Sequence, residues 1–208
     1  MHISDGILSP IVLGTGMILT GTGTIAGLRK ISTEKIMEIS IVVSAFFVAS
    51  LIHIPVGVTN AHLTLGGLAG LLLGEAVFPA ILAGLVLQLL FFQFGGLLSL
   101  GVNTFNMAGP ALFVYYLFGR RIRDSGSNSR TLSFIGGMAA VFLSTVLLCL
   151  SLILSDLNFL PGTLLIIGSN IPLMICEGFI TMTIITFLEK VEPAMLNIHT
   201  DSQQEVSE

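Results

Sequence analysis

The chain has 208 residues, 53% of them hydrophobic and only 10% charged, with a mean hydropathy of +0.98. Soluble domains carry about a quarter charged residues, so this composition excludes a soluble globular domain and indicates an integral membrane protein. The net charge of −4 says little about partners, because the acids lie mostly in loops and in the tail, and nothing points to nucleic acid.

In chain order, the first feature is Met1-His2-Ile3-Ser4-Asp5-Gly6, ahead of apolar sequence from Ile7. It is not a signal peptide: there is no basic leading region and no small-residue cleavage site before the first apolar run. The bulky His2 is expected to protect Met1 from removal, leaving a free terminal amine once the formyl group is lost. Asp5-Gly6 reads as a turn that folds residues 1–7 back over the bundle.

Seven apolar runs follow: Leu8–Leu28, Ile36–Val56, Ala61–Gly74, Phe78–Phe94, Asn103–Phe118, Leu132–Ser155 and Thr163–Leu188. Roughly 20 apolar residues cross a bilayer as a helix, so the expected fold is all-α, a seven-transmembrane-helix bundle over residues 1–190. The third run is short and rich in glycine, so a partly re-entrant helix is open there. All eight Lys and Arg fall after the first, fifth and seventh runs: Arg29, Lys30 and Lys35; Arg120, Arg121, Arg123 and Arg130; Lys190. Seven spans put these on one side, which the positive-inside rule makes cytoplasmic. The N-terminus is then outside, and the polar tail 191–208 is cytoplasmic.

Small residues four apart (Gly23/Gly27, Gly66/Gly70/Gly74, Ala80/Gly84) allow close helix approach in lipid, within this bundle or against another subunit. Cys149 and Cys176 read as core residues. No GxxxxGK[ST] loop is present, so ATP hydrolysis is expected from a separate partner.

The topology gathers His2, His53 and His62 at the outer face. A Met1 amine, the His2 amide nitrogen and the His2 imidazole Nδ1 close fused five- and six-membered chelate rings on one metal. Three nitrogens then lie in a plane with one position open, a donor set that suits Ni(II) or Cu(II) and that Co(II) can adopt. The amide must lose its proton, so affinity falls with pH. His62 is the expected fourth ligand: Thr59-Asn60-Ala61-His62 reads as a helix start capped by Asn60 or Thr59. Its imidazole would be kept neutral by the helix dipole. His53, read as the apolar end of the second helix, is the competing choice, with hydrogen bonding to a loop carbonyl as its structural role.

Polar residues inside the bilayer call for hypotheses. Asn103 and Asn106, one turn apart, could clamp the N-terminal loop, with N-capping of the fifth helix the alternative for Asn103. Glu177, mid-way along the last helix, could be a hydrogen-bonded packing residue or part of a path or subunit contact. Gln88 and Gln93 read as helix-packing residues.

Several segments in this order carry a family resemblance: Met1-His2-Ile3 with Asp5-Gly6, Ala61-His62-Leu63, Phe94-Gly95-Gly96-Leu97, Leu100-Gly101-Val102-Asn103-Thr104-Phe105-Asn106-Met107, and Glu177-Gly178-Phe179-Ile180-Thr181. Together they resemble the CbiM/NikM family, the substrate-binding membrane components of energy-coupling-factor cobalt and nickel transporters. The resemblance implies an outside N-terminal loop inserted into the bundle, and metal held by the terminal amine, the His2 amide and imidazole, and His62. It also implies a CbiQ/NikQ-like coupling subunit, CbiO/NikO-like ATPases and a small CbiN/NikN-like membrane component. Many cobalt-associated members carry a Ser-Cys-Ser-His-Pro-like segment where this chain has Thr59-Asn60-Ala61-His62-Leu63, which tilts the reading toward nickel. The expected role is therefore Ni2+ or Co2+ capture and uptake at the inner membrane, with the ion as substrate, no cofactor and no enzyme activity. The alternatives are a non-transporting assembly subunit or an intramembrane metalloenzyme, though no HExxH motif is present.

Overall fold

The computed structural model describes residues 2–56, 59–124 and 128–196. Met1, the end of the tail with His199, and residues 57–58 and 125–127 lie outside the described residues.

Each of the seven runs contains a helix. They are α1 (Pro10–Leu28), α2 (Ile36–Ala49), α3 (Gly66–Leu73), α4 (Val77–Phe92), α5 (Leu100–Val114), α7 (Ser129–Ser155) and α8 (Leu160–Val191). α5 runs on through a π-helical turn, Tyr115–Gly119, into the short α6 (Arg120–Asp124). Among the described residues, four helical stretches are long and apolar enough for a membrane crossing: Pro10–Leu28, Gly66–Phe92, Ser129–Ser155 and Leu157–Val191.

The departure from an all-α fold lies between α2 and α3. The expected second helix ends seven residues early, and His53–Val56 (β1) pairs antiparallel with Thr59–His62 (β2). Pro55 explains the stop, since its ring clashes with the carbonyl four residues back and it has no N–H to donate. His62 is therefore on a strand, not in a first helical turn, and the helix-dipole argument for it fails. His53 is likewise on a strand, opposite His62 in the register. Irregular backbone at membrane depth needs internal hydrogen-bond partners, and the ribbon supplies them.

α3 is the central element, and nearly all of it is buried. Its glycines let backbones touch: a methyl on Gly67 would stand 2.7 Å from the Gly137 Cα of α7, and one on Gly70 would collide with the Ala111 carbonyl of α5. α5 packs on α1, α3, α4 and α7. It crosses α1 at Gly16 and Gly101, where an added Cβ would lie 2.8 Å from the Cα of Val102 and of Met17 respectively. The other spaced small residues also face this bundle: Gly23 meets Phe78, Gly27 meets Pro79 and Gly84 meets Phe46.

The bundle has two chemically different ends. At one, Ser9 donates its N–H to Ser155 Oγ (3.0 Å), joining the start of α1 to the end of α7. At the other, Lys30 pairs with Glu75 at 3.8 Å, and Arg123 lies over the Tyr115 ring. The 19 residues of α1 separate these ends by about 28 Å at 1.5 Å per residue.

Candidate metal centre

The N-terminal loop is tied down at the end away from the basic cluster. Ile3 and Leu8 are buried against Val102, Leu148, Cys149 and Leu152. Asn103, one turn into α5, accepts from Ile3 N–H and donates to Ile3 C=O, both at 2.9 Å. It does not cap α5, which begins at Leu100 after Ser99. The Ser99 hydroxyl also donates to Ile3 C=O, at 2.7 Å. Asn106 faces elsewhere, pairing with Ser151 of α7 at 3.2 Å.

Asp5 fixes the next part of the loop by accepting from Ser99 N–H (2.9 Å) and Leu98 N–H (3.3 Å). Partial burial pushes its carboxyl up, but the hydrogen bonds from Ser99, Leu98 and Leu97 together outweigh this and hold it below its ordinary value. The receiving loop turns at Gln93 and Gly95, both at positive φ. Gly95 is needed there: any Cβ would sit 3.1 Å from Asn103 Nδ2 and 3.4 Å from His2 Cδ2.

These anchors bring His2 against His62. His2 Nδ1 and His62 Nε2 are 3.0 Å apart, with ring centroids at 4.8 Å and ring planes 29° apart. Phe94 flanks His2, with ring centroids 6.0 Å apart. His62 is buried, and its Nδ1 donates to Leu63 C=O at 3.1 Å. Because a carbonyl only accepts, that bond puts the His62 proton on Nδ1 and leaves the Nε2 lone pair facing His2. On the far side of His2, Nε2 lies 2.8 Å from Gln88 Oε1; in the tautomer that donates from Nε2 to this oxygen, the Nδ1 lone pair faces His62.

Two imidazole nitrogens at this distance have the spacing of adjacent corners of a coordination square. With metal–nitrogen bonds of ~2 Å, nitrogens at right angles are about 2.8 Å apart and opposed ones about 4 Å. In a chelate formed by an amine, the next amide and a His Nδ1, the open position neighbours the imidazole. Among the described residues no three His, Cys, Asp or Glu side chains converge as a metal cluster.

The strand that carries His62 is held from α8. Glu177 Oε1 accepts from Thr64 N–H, from the Thr64 hydroxyl (2.6 Å) and from Leu65 N–H (3.0 Å). This carboxyl does the work of an N-cap for α3, whose own cap residue Leu65 is left-handed at φ 46° and makes no side-chain cap bond. Glu177 is fully buried and faces the turn two residues beyond His62.

The sequence model of the cobalt uptake substrate-specific transmembrane region, CbiM, matches residues 2–195. The chain belongs to the CbiM family. It is 40% identical to a Haemophilus influenzae protein named "Putative metal transport protein", over 95% of this chain and 97% of that one. It is 34% identical to the fused nickel transport protein NikMN of Rhodobacter capsulatus, over 70% of this chain and 46% of that longer one. The crystal structure of a truncated transition metal transporter superposes with a TM-score of 0.74 at 25% identity, covering 92% of this chain and 99% of that one. As a CbiM-family member the chain is a multi-pass membrane protein and a transporter component.

Two groups that hold His2 and its loop are not assigned to the candidate site from sequence. Gln88 is 86 residues from His2, and a lone glutamine in an apolar helix carries no signal beyond packing. Ser99 precedes α5 and ties both Ile3 and Asp5, yet its composition and spacing resemble any loop serine.

Proposed function

We propose that this chain captures Ni2+ or Co2+ at the outer membrane face as the substrate-specific component of a cobalt/nickel uptake transporter. The ion is held by the Met1 amine, the deprotonated His2 amide nitrogen, His2 Nδ1 and His62 Nε2. The observation that carries the reading is the 3.0 Å approach of His2 Nδ1 to His62 Nε2, with a hydrogen bond behind each ring. Four nitrogens in a plane favour Ni2+ over the harder or larger divalent ions, so Ni2+ is the proposed preferred substrate.

The seven helical runs are proposed to cross the membrane with the N-terminus outside. The concentration of basic residues at the end opposite His2 supports this. A coupling membrane subunit and cytoplasmic ATPases supply the energy, and the fused NikMN relative supports a small additional membrane component. His53 supports the strand that bears His62. Asn103, through Ile3, and Glu177, through Thr64 and Leu65, position the two ligands; Asn106 joins α5 to α7.

The register of the terminal amine tests the ligand set. One residue inserted before Met1 moves the amine out of the five-membered ring. Radiolabelled nickel uptake by cells carrying the partner subunits is then expected to collapse while membrane insertion persists. Full uptake by a chain shown by mass spectrometry to keep its extension would remove the amine from the site.

A further inference from the structure

The two imidazoles impose opposite demands on their neighbours with and without metal. Leu63 C=O accepts from His62 Nδ1 at 3.1 Å, and a carbonyl cannot donate, so His62 Nε2 presents a lone pair in both states. Without metal, His2 Nδ1, 3.0 Å away, meets that lone pair favourably only by donating a proton to it. A neutral His2 then has a bare Nε2 that needs a donor. With metal between the rings, Nδ1 must be bare, the proton resides on Nε2, and Nε2 needs an acceptor.

The group facing His2 Nε2 is the Gln88 amide, 2.8 Å away and fully buried. An amide offers a donor at one end and an acceptor at the other. Its Nε2 has no hydrogen-bond partner among the described residues, so turning the amide over breaks no other bond. Other neutral or charged choices fit less well: leucine offers neither function, and an ionised carboxylate only accepts.

We propose that Gln88 is a positioning residue whose amide reverses on metal capture, with NH2 toward His2 Nε2 when the site is empty and C=O toward Nε2–H when it is loaded. Oε1 toward His2, at 2.8 Å, is the orientation that a loaded site requires. The ring gives up one proton at Nδ1 and takes one at Nε2, so it carries the same number before and after. The protons released on capture come from the His2 amide and from the terminal ammonium. This inference rests on the reading that His2 Nδ1 and His62 Nε2 share the metal.

The experiment uses the full chain purified in detergent with 15N-labelled histidine, observed by NMR at one pH without metal and with Ni2+. Square-planar Ni(II) is diamagnetic, so both states are readable. The expected wild-type result is His2 protonated at Nδ1 when empty and at Nε2 when loaded. Gln88→Leu should lower Ni2+ affinity roughly 10–100-fold. Gln88→Glu, which still accepts, should recover most of that loss while holding a proton on His2 Nε2 even without metal. Nε2 protonation in both wild-type states, or undiminished Ni2+ affinity in Gln88→Leu, would overturn the role of Gln88 alone. Failure of the wild-type chain to bind Ni2+ would overturn the metal reading and this inference with it.

Discussion

Replacing Asn103 by leucine tests whether docking of the N-terminal loop sets metal affinity. The substitution removes both bonds to Ile3, but the two losses are unequal. Ile3 C=O keeps the Ser99 hydroxyl as donor at 2.7 Å, whereas Ile3 N–H loses its Asn103 acceptor in a buried setting. One buried backbone donor left without an acceptor costs about 1–3 kcal/mol. Undocking moves His2 away from His62, so the cost falls on the binding-competent population and raises the apparent Kd in proportion. About 1–3 kcal/mol corresponds to roughly 5- to 150-fold. Ser99→Ala removes one of the two donors to Ile3 C=O and leaves both Asn103 bonds in place, so its effect should be the smaller. The assay is Ni2+ titration of the purified chain, with circular dichroism to show that the helices are intact. Wild-type affinity in a folded Asn103→Leu protein, or equal losses in both variants, would refute the docking argument.

Three further outcomes follow from the geometry. Gly95→Ala places a Cβ 3.4 Å from His2 Cδ2 and imposes the left-handed region on an ordinary residue at roughly 1–2 kcal/mol; Ni2+ affinity measured by titration should fall while the fold survives. Glu177→Leu orphans the Thr64 and Leu65 N–H groups, at about 1–3 kcal/mol each; it should lower the thermal unfolding midpoint and weaken Ni2+ binding, whereas Glu177→Gln, which retains an accepting oxygen, should do much less. The Asp5 carboxyl is held below its ordinary value, so its grip on Ser99 is complete above the ordinary carboxylate range and is lost as pH falls through the lowered value; the Ser99 amide resonance should titrate with a midpoint below that of a free aspartate, and a midpoint at or above it would contradict the tether.

The helical framework was legible because long apolar runs without charge, such as Leu132–Ser155, have one economical solution in lipid. The stretch from Ile52 to His62 was not, because its hydrophobicity continues that of α2 and masks the alternation of branched residues around Pro55. Pro55 was the signal available there: an interior proline argues against a helix carried through to Val56. His2 and His62 were singled out for their chemistry, and the structure brings them together by a route different from the expected one, through a ribbon and a cross-bundle carboxyl. Glu177 could be flagged as buried and costly, but its partners, Thr64 and Leu65, are more than 100 residues away. Gln88 shows the same limit: the proton it manages is defined only once two rings and a carbonyl are in place.

The most direct measurement is equilibrium dialysis of 63Ni2+ against the purified full-length chain and its single histidine variants, before any partner subunit or energy source is involved. The account predicts one high-affinity ion per wild-type chain, loss of that binding in both His2→Ala and His62→Ala, and retention in His53→Ala. High-affinity binding that survives His62→Ala would contradict it.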